Sequence, residues 1–181
     1  GQLIDELLTY ARLSNAPLPG AGEKIALPPL LKALVDKRNK LLPGINIELV
    51  DNDPVSQACQ LYGLKNEISR AIINVLTNAQ RYAQKHIRVI LALDGPWCSI
   101  TIDDDGKGIS PKDRQDIFIP FKRLEGGKEQ QTQITGKGYG LGLAIVERIM
   151  LNHKGNVRVE QSPLGGARFV LNFPCQEQTD N

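Results

Sequence analysis

Asn74 and Asn78 stand four residues apart in the stretch 66–83, where Ile68, Ala71, Ile72, Val75 and Ala79 recur at helical spacing. On such a helix the two amides share one face. Their carbonyl oxygens suit a hard cation such as Mg2+, which keeps several waters and bridges phosphates. Arg81 and Tyr82, near the same end, offer a charge for phosphate and an edge for a sugar or base. The run Ile100-Thr-Ile-Asp-Asp-Asp-Gly-Lys-Gly-Ile109 reads as a strand entering a glycine turn. A carboxylate there, beside Gly106 and Gly108 that let a ligand approach the backbone, suits the exocyclic amine of a base. Gly138-Tyr139-Gly140-Leu141-Gly142-Leu143 leads into an apolar-periodic helix. Glycines opening a helix present free N–H groups and the positive end of its dipole to an anion. Lys137 adds a positive charge beside them.

Each motif also has a plain reading. The two asparagines would serve as helix-surface polar residues, Asp-Gly is a common turn dipeptide, and three spaced glycines are often structural. The glycine spacing matches neither the Walker A pattern nor the Rossmann pattern after a first strand. What carries weight is the order: the asparagine pair, Asp104 to Gly108, Gly138 to Leu143, then Gly165-Gly166. Each meets a different part of one ligand, and the ligand they describe is a nucleoside triphosphate held with a metal ion.

The elements that must position these groups follow from periodicity. Residues 2–14 carry Leu3, Ile4, Leu7, Leu8 and Ala11 on one face and read as the end of a helix. That helix is short enough to need a packing partner, such as a partner helix. A Pro- and Gly-rich linker follows over 16–23, and a second unit spans 24–174 with a polar tail at 175–181. Within it, strands are expected at Lys24–Leu27, Ile45–Val50, Cys59–Tyr62, Ile87–Leu93, Trp97–Asp103, Asn156–Gln161 and Ala167–Phe173. Helices are expected from Pro28 to Leu42, Asn66 to Ala83, Lys112 to Ile117 and Gly140 to Asn152, the last ending on Gly155 as a left-handed cap. Phe118, Pro120 and Phe121 read as the apolar anchor of a lid formed by the polar stretch Lys122–Lys137. The fold class is α/β: a two-layer sandwich with a mixed sheet of five strands covered on one face by three helices.

Composition sets outer bounds. The 181 residues are 41% hydrophobic and 23% charged, ordinary for a globular domain. A net charge of +2 without a basic cluster argues neither for nor against nucleic acid, and none is expected as a partner. The longest apolar runs fall far short of the ~20 residues that span a bilayer. Three cysteines without C-x-x-C spacing give no footing for a disulfide framework or a zinc site.

With the motifs in view, the chain resembles the catalytic and ATP-binding domain of sensor histidine kinases, within the wider group that includes Hsp90, gyrase and MutL ATPases. Asn74-Val-Leu-Thr-Asn78-Ala-Gln-Arg-Tyr82 resembles the family's N box, and Asp104-x-Gly-x-Gly108 its first glycine box. Ile117-Phe-Ile-Pro-Phe-Lys-Arg123 resembles the F box, Gly138 to Leu143 the second glycine box, and Gly165-Gly-Ala-Arg-Phe169 the last glycine motif. The resemblance implies ATP and Mg2+ as ligands, with Asn78 on the metal and Asp104 on the adenine amine. It places Asn74, Arg81 and Lys137 near the phosphates and Tyr82 near the ribose or base. Gly106, Gly108, Ile109, Gly138, Tyr139, Gly140, Leu141, Gly142 and Leu143 complete the implied nucleotide-binding set. Residues 2–14 are similar to the end of the second helix of the family's dimerisation hairpin.

The family's hydrolases, and its serine-directed kinases, place Glu where this chain has Asn74. A neutral amide cannot accept a proton near neutral pH, so the resemblance favours transfer to a histidine, nucleophilic when neutral, over hydrolysis. That acceptor is expected upstream, since neither His86 nor His153 sits in an acceptor-like motif. The implied partners are the chain's own phosphoacceptor hairpin and a response regulator. The implied whole is a membrane-anchored homodimer in the bacterial inner membrane, with this domain in the cytoplasm. Leu64 stands where an Asp usually caps the N-box helix, leaving Asn66 to cap it. Ile119 replaces an acidic residue, and Ala167 a frequent Thr. A stand-alone ATPase and a degenerate nucleotide sensor are the rival readings.

Overall fold

The computed structural model describes residues 1–15, 22–50, 56–122 and 140–175. Five strands form the central sheet: β2 (Asn46–Val50), β4 (His86–Asp94), β5 (Trp97–Asp104), β6 (Asn156–Gln161) and β7 (Ala167–Pro174). Their order is β2-β4-β5-β7-β6. Only β2 and β4 run parallel within it, a pairing that requires a long crossover. The crossover contains β3 (Gln60–Gly63) and helix α3 (Lys65–Tyr82). β3 pairs with β1 (Glu23–Ala26) as a separate antiparallel ribbon, which the sequence reading does not set apart. Glu23, expected in the linker, already belongs to that ribbon. Helices α2 (Leu27–Leu41) and α4 (Gly142–Asn152) flank α3, completing the expected two-layer sandwich.

Alternation along β5 explains how the layers meet. Cys98, Ile100 and Ile102 are buried and register with Leu93, Leu91 and Val89 on β4 and with Phe173, Leu171 and Phe169 on β7. Against this side α3 lays Ile68, Ile72, Val75, Leu76 and Ala79, all fully buried. Each large apolar side chain so buried stabilises the fold by roughly 1.5–3 kcal/mol. Asp104 takes the next inward position after Ile102, opposite Ile87. The site therefore begins with a carboxylate placed at the end of an apolar row.

The opposite face carries a row of alternating charge across all five strands. Glu48, Arg88, Asp103, Arg168 and Glu160 are successive cross-strand neighbours. Arg168 grips Asp103 with Nε to Oδ1 at 2.7 Å and Nη2 to Oδ2 at 2.9 Å, and Arg88 Nη2 approaches Oδ2 at 3.5 Å. This bidentate contact compensates a carboxylate with no exposed surface.

The helix ends depart from expectation in instructive ways. Leu64 flanks α3 without a side-chain cap, and Asn66 does not supply one. Instead the Leu64 N–H donates to His153 Nε2 at 3.2 Å. His153 Nδ1 lies 2.8 Å from the Ile149 carbonyl, so the ring accepts at Nε2 and donates at Nδ1. At the end of α4 the left-handed residue is Lys154, at φ 60°, rather than Gly155. Lys154 N–H reaches Leu151 O at 3.0 Å and Gly155 N–H reaches Met150 O at 2.8 Å, the bonds of a Schellman motif. Gly155 is needed because a Cβ there would meet the Asn172 carbonyl. The short helix expected at Lys112–Ile117 is instead two 3-10 turns, Pro111–Asp113 and Asp116–Phe118, a stretch too short to offset helix nucleation. Helix α1 (Gln2–Asn15) rests on α4. Leu13 is buried there and Asn152 Nδ2 donates to Leu13 O at 2.9 Å, while Ile4 and Leu8 stay exposed. Among the described residues no helix is long and apolar enough to cross a membrane.

Candidate nucleotide site

Asp104 is 2% exposed at the end of β5. Its Oδ1 accepts the Gly106 N–H at 2.9 Å and the Ala167 N–H at 3.2 Å. Among the described residues Oδ2 accepts no hydrogen bond. Burial, aided by the neighbouring charges of Asp105 and Asp103, raises the carboxyl pKa against the two backbone N–H groups that lower it. Gly166 N–H donates to Asp104 O at 3.1 Å, and a Cβ on Gly166 would collide with Asp104 Oδ1. Gly166 thus makes room for this carboxylate, and Ala167 contributes through its backbone. Gly108 adopts φ +75°, in the left-handed region, with Gly166 O 3.3 Å from where its Cβ would lie. Ile109 packs against the core, and its carbonyl accepts Arg114 Nε at 3.2 Å.

Asp105 has a role that the sequence does not signal. Its carboxylate accepts the backbone N–H groups of Gln84 (2.7 Å), Lys85 (3.2 Å) and His86 (3.1 Å). Partial burial pushes its pKa upward, but these three donors outweigh that and hold it below the ordinary carboxyl range. The contacts fasten the exit of α3 to the turn after β5. A Cβ on Gly106 would strike the Tyr82 carbonyl, and Lys107 Nζ lies 5.8 Å from the Tyr82 ring centroid, within cation–π range. The exposed face of Tyr82 therefore borders the Asp104–Gly108 turn.

Asn74, Asn78 and Tyr82 follow at i, i+4 and i+8 on α3, one face of the helix. Asn74 Nδ2 donates to Gly142 O at 3.1 Å, bracing α3 against the first residue of α4. Half-buried Asn78 sits between that brace and Tyr82, its amide without a partner among the described residues. Arg81 is exposed beside them. Leu141 flanks α4, fully buried and without a side-chain cap, which leaves first-turn N–H groups available to an anion. Space is open around Gly142 where a Cβ would stand; Leu143 packs on the core. Gly140, at φ +76°, accepts the Phe121 N–H at 3.1 Å, and a Cβ there would come within 2.9 Å of Phe121 Cα.

Phe118 is buried edge-on against Phe169, with ring centroids 6.4 Å apart. Phe121, grouped with it by sequence, is 54% exposed at φ 62°. Its left-handed backbone serves the Gly140 contact and turns the ring outward, so of the two phenylalanines only Phe118 is buried. Lys137, Gly138 and Tyr139, with the stretch beyond Lys122 expected to form a lid, lie outside the described residues. Among the described residues no three His, Cys, Asp or Glu side chains converge as a metal cage.

Comparison with known proteins gives this arrangement its family. Residues 63–177 match the model described as histidine kinase-, DNA gyrase B-, and HSP90-like ATPase, and the chain belongs to that family. It is 43% identical to the sensor histidine kinase CpxA of Escherichia coli over 119 residues, 66% of this chain and 25% of that protein. To the sensor protein RstB of Escherichia coli it is 35% identical over 175 residues, 95% of this chain and 38% of that protein. The chain thus spans well under half the length of these curated relatives. The ATP-binding domain of PrrB from Mycobacterium tuberculosis superposes with a TM-score of 0.69 at 25% identity, over 87% of this chain and 99% of that one. Full-length ShkA in complex with AMPPNP shares the fold at a TM-score of 0.79 and 23% identity, over 97% of this chain and 36% of that one.

Proposed function

We propose that this domain binds Mg-ATP between α3, the Asp104–Gly108 turn and the start of α4. In this reading it transfers the γ-phosphoryl to a histidine on a hairpin helix of the whole protein. Asp104 Oδ2 receives the adenine amine, with Oδ1 already held by two backbone donors. Tyr82 borders the ribose or base, and the open first turn of α4 faces the phosphates, with Arg81 and Lys137 nearby. Asn78 supplies one hard amide oxygen to Mg2+, and phosphates and water supply the rest, as suits an ion that seldom takes an all-protein cage. Bound there, Mg2+ would offset charge on the transferring phosphoryl group.

The observation that carries this reading is the direct bonding among the motif segments. Asp105 ties the turn to the end of α3, and Asn74 ties α3 to α4. Asn74 also favours transfer over hydrolysis. An amide that donates to Gly142 O provides no base to activate water, whereas a neutral imidazole needs none. The whole protein is read as a homodimeric sensor anchored in the inner membrane, handing the phosphoryl to a response-regulator aspartate. Helix α1 is read as the end of its phosphoacceptor hairpin.

The test is titration of the chain with an ATP analogue with and without Mg2+, then addition of a hairpin protein and assay for acid-labile phosphohistidine. Mg2+-dependent binding and phosphohistidine are expected. Binding without transfer would favour a nucleotide sensor, and rapid phosphate release by the chain alone would favour an ATPase.

A further inference from the structure

Cys59, Cys98 and Cys175 are the only cysteines in the chain, and Cys98 and Cys175 meet side chain to side chain. Cys98 faces inward on β5, opposite Phe173 on β7. Cys175 follows two residues after Phe173, its backbone held by a 2.8 Å bond from its N–H to Pro96 O. The two side chains meet diagonally across the strand pair, with Sγ atoms 2.9 Å apart. Cys59, just before β3, is buried and its thiol adds to the upward push on the Cys98 pKa. Cys59 and Cys98 are 1% and 0% exposed, whereas Cys175 is partly open to solvent.

We propose that this cluster is a thiol-oxidation site, in which Cys175 captures a low-molecular-weight disulfide and Cys98 resolves it to a Cys98–Cys175 bond. In the first step the Cys175 thiolate attacks one sulfur of the oxidant, forming a mixed disulfide and expelling one thiolate. In the second, Cys98 gives its proton to solvent and attacks the Cys175 sulfur, expelling the second thiolate. Two protein thiols lose two electrons and the oxidant becomes two thiols, so the exchange balances. The sulfurs need approach only by about 1 Å to reach the S–S length of about 2.05 Å. Burial, with the neighbouring Cys175 and Cys59 thiols, holds the Cys98 thiol well above its ordinary range. The second step is therefore the slow one and quickens as pH rises.

The bond would fasten the chain after β7 to the start of β5. Asp104 lies six residues further along β5, roughly 20 Å away at strand rise, so the thiol site is separate from the nucleotide site and does not depend on it.

The test is incubation of the reduced chain with oxidised glutathione, followed by thiol titration in denaturant and peptide mapping. Free thiols should fall from three to one, with Cys98 joined to Cys175 and Cys59 left reduced. Closing this long loop should raise Tm by roughly 5–15 °C. Affinity for an ATP analogue should change by less than about twofold, as for distant independent sites. Cys175→Ser should abolish the bond and Cys59→Ser should leave it intact. Glutathione persisting on Cys175, a bond through Cys59, or survival of all three thiols would each overturn the proposal.

Discussion

Asp104 Oδ1 lies 3.2 Å from the backbone nitrogen of Ala167, a residue 63 positions further along the chain. A neighbouring strand thereby fixes one oxygen of a buried carboxylate and leaves the other to be aimed by the first. The carboxylate is held in place before any ligand arrives, which limits the ordering cost of binding.

Replacing Asp104 separates binding from stability. Burial raises its pKa in the folded state, so its contribution to stability is complete below the ordinary carboxyl pKa of about 3.9. That contribution is lost as pH rises through the elevated folded value. Ionised Asp104 is thus a liability to the free fold at neutral pH. Asp104→Asn keeps an acceptor for the two backbone N–H groups and removes the charge. Thermal melts should show Tm unchanged or raised by a few degrees. ATP-analogue affinity should fall about 10–100-fold through loss of the charged acceptor. Unaltered affinity would remove Asp104 from the adenine contact.

Asp105→Ala should behave in the opposite sense. Three backbone N–H groups lose their acceptor, and Tm should fall by roughly 2–6 °C. The wild-type carboxyl is held below its ordinary range. Its stabilisation is therefore present above about pH 4 and lost as pH falls through the depressed folded value. The gap between wild-type and variant melting curves should close toward acid pH. A constant gap would show that the charge is not responsible.

These two adjacent aspartates mark how far a sequence reading reaches. Asp104 is legible because it opens the Asp-x-Gly-x-Gly motif at a strand end; that it continues the inward row of Cys98, Ile100 and Ile102 emerges only from the structure. Asp105 satisfies the backbone of residues 84–86, a partner set that no periodicity records. The brace from Asn74 to Gly142 likewise depends on how two helices pack. His153 supplying an acceptor to Leu64 is a contact across 89 residues, invisible to a rule that looks for a polar side chain beside the helix start. The meeting of Cys98 with Cys175 has the same origin, since spacing along the chain does not report distance between strands. Phe121 groups with Phe118 by type and position, whereas its left-handed backbone and exposure separate them.

Asn74→Ala removes the donor to Gly142 O and loosens α3 from the start of α4. Loss of one hydrogen bond predicts about 1 kcal/mol, roughly a fivefold effect. Because the brace positions the first turn of α4, phosphotransfer to an added hairpin should fall while analogue affinity, anchored at Asp104, changes little. Equal losses in both would assign Asn74 to uniform binding instead.

Arg168→Leu tests the sheet face away from the nucleotide. Arg168 grips an Asp103 carboxylate with no exposed surface, and Arg88 at 3.5 Å is too far to replace its two bonds. Stranding a buried charge costs about 3–5 kcal/mol. Partial exposure of the arginine and residual pairing with Arg88 lower the expectation to about 2–3 kcal/mol. Urea melts should show the midpoint falling without a change in slope. Asp103→Asn combined with Arg168→Leu should recover part of the loss, because no carboxylate remains to be stranded. If the double variant is no more stable than the single one, the cross-sheet charge row contributes through packing of the arginine stem rather than through its charge.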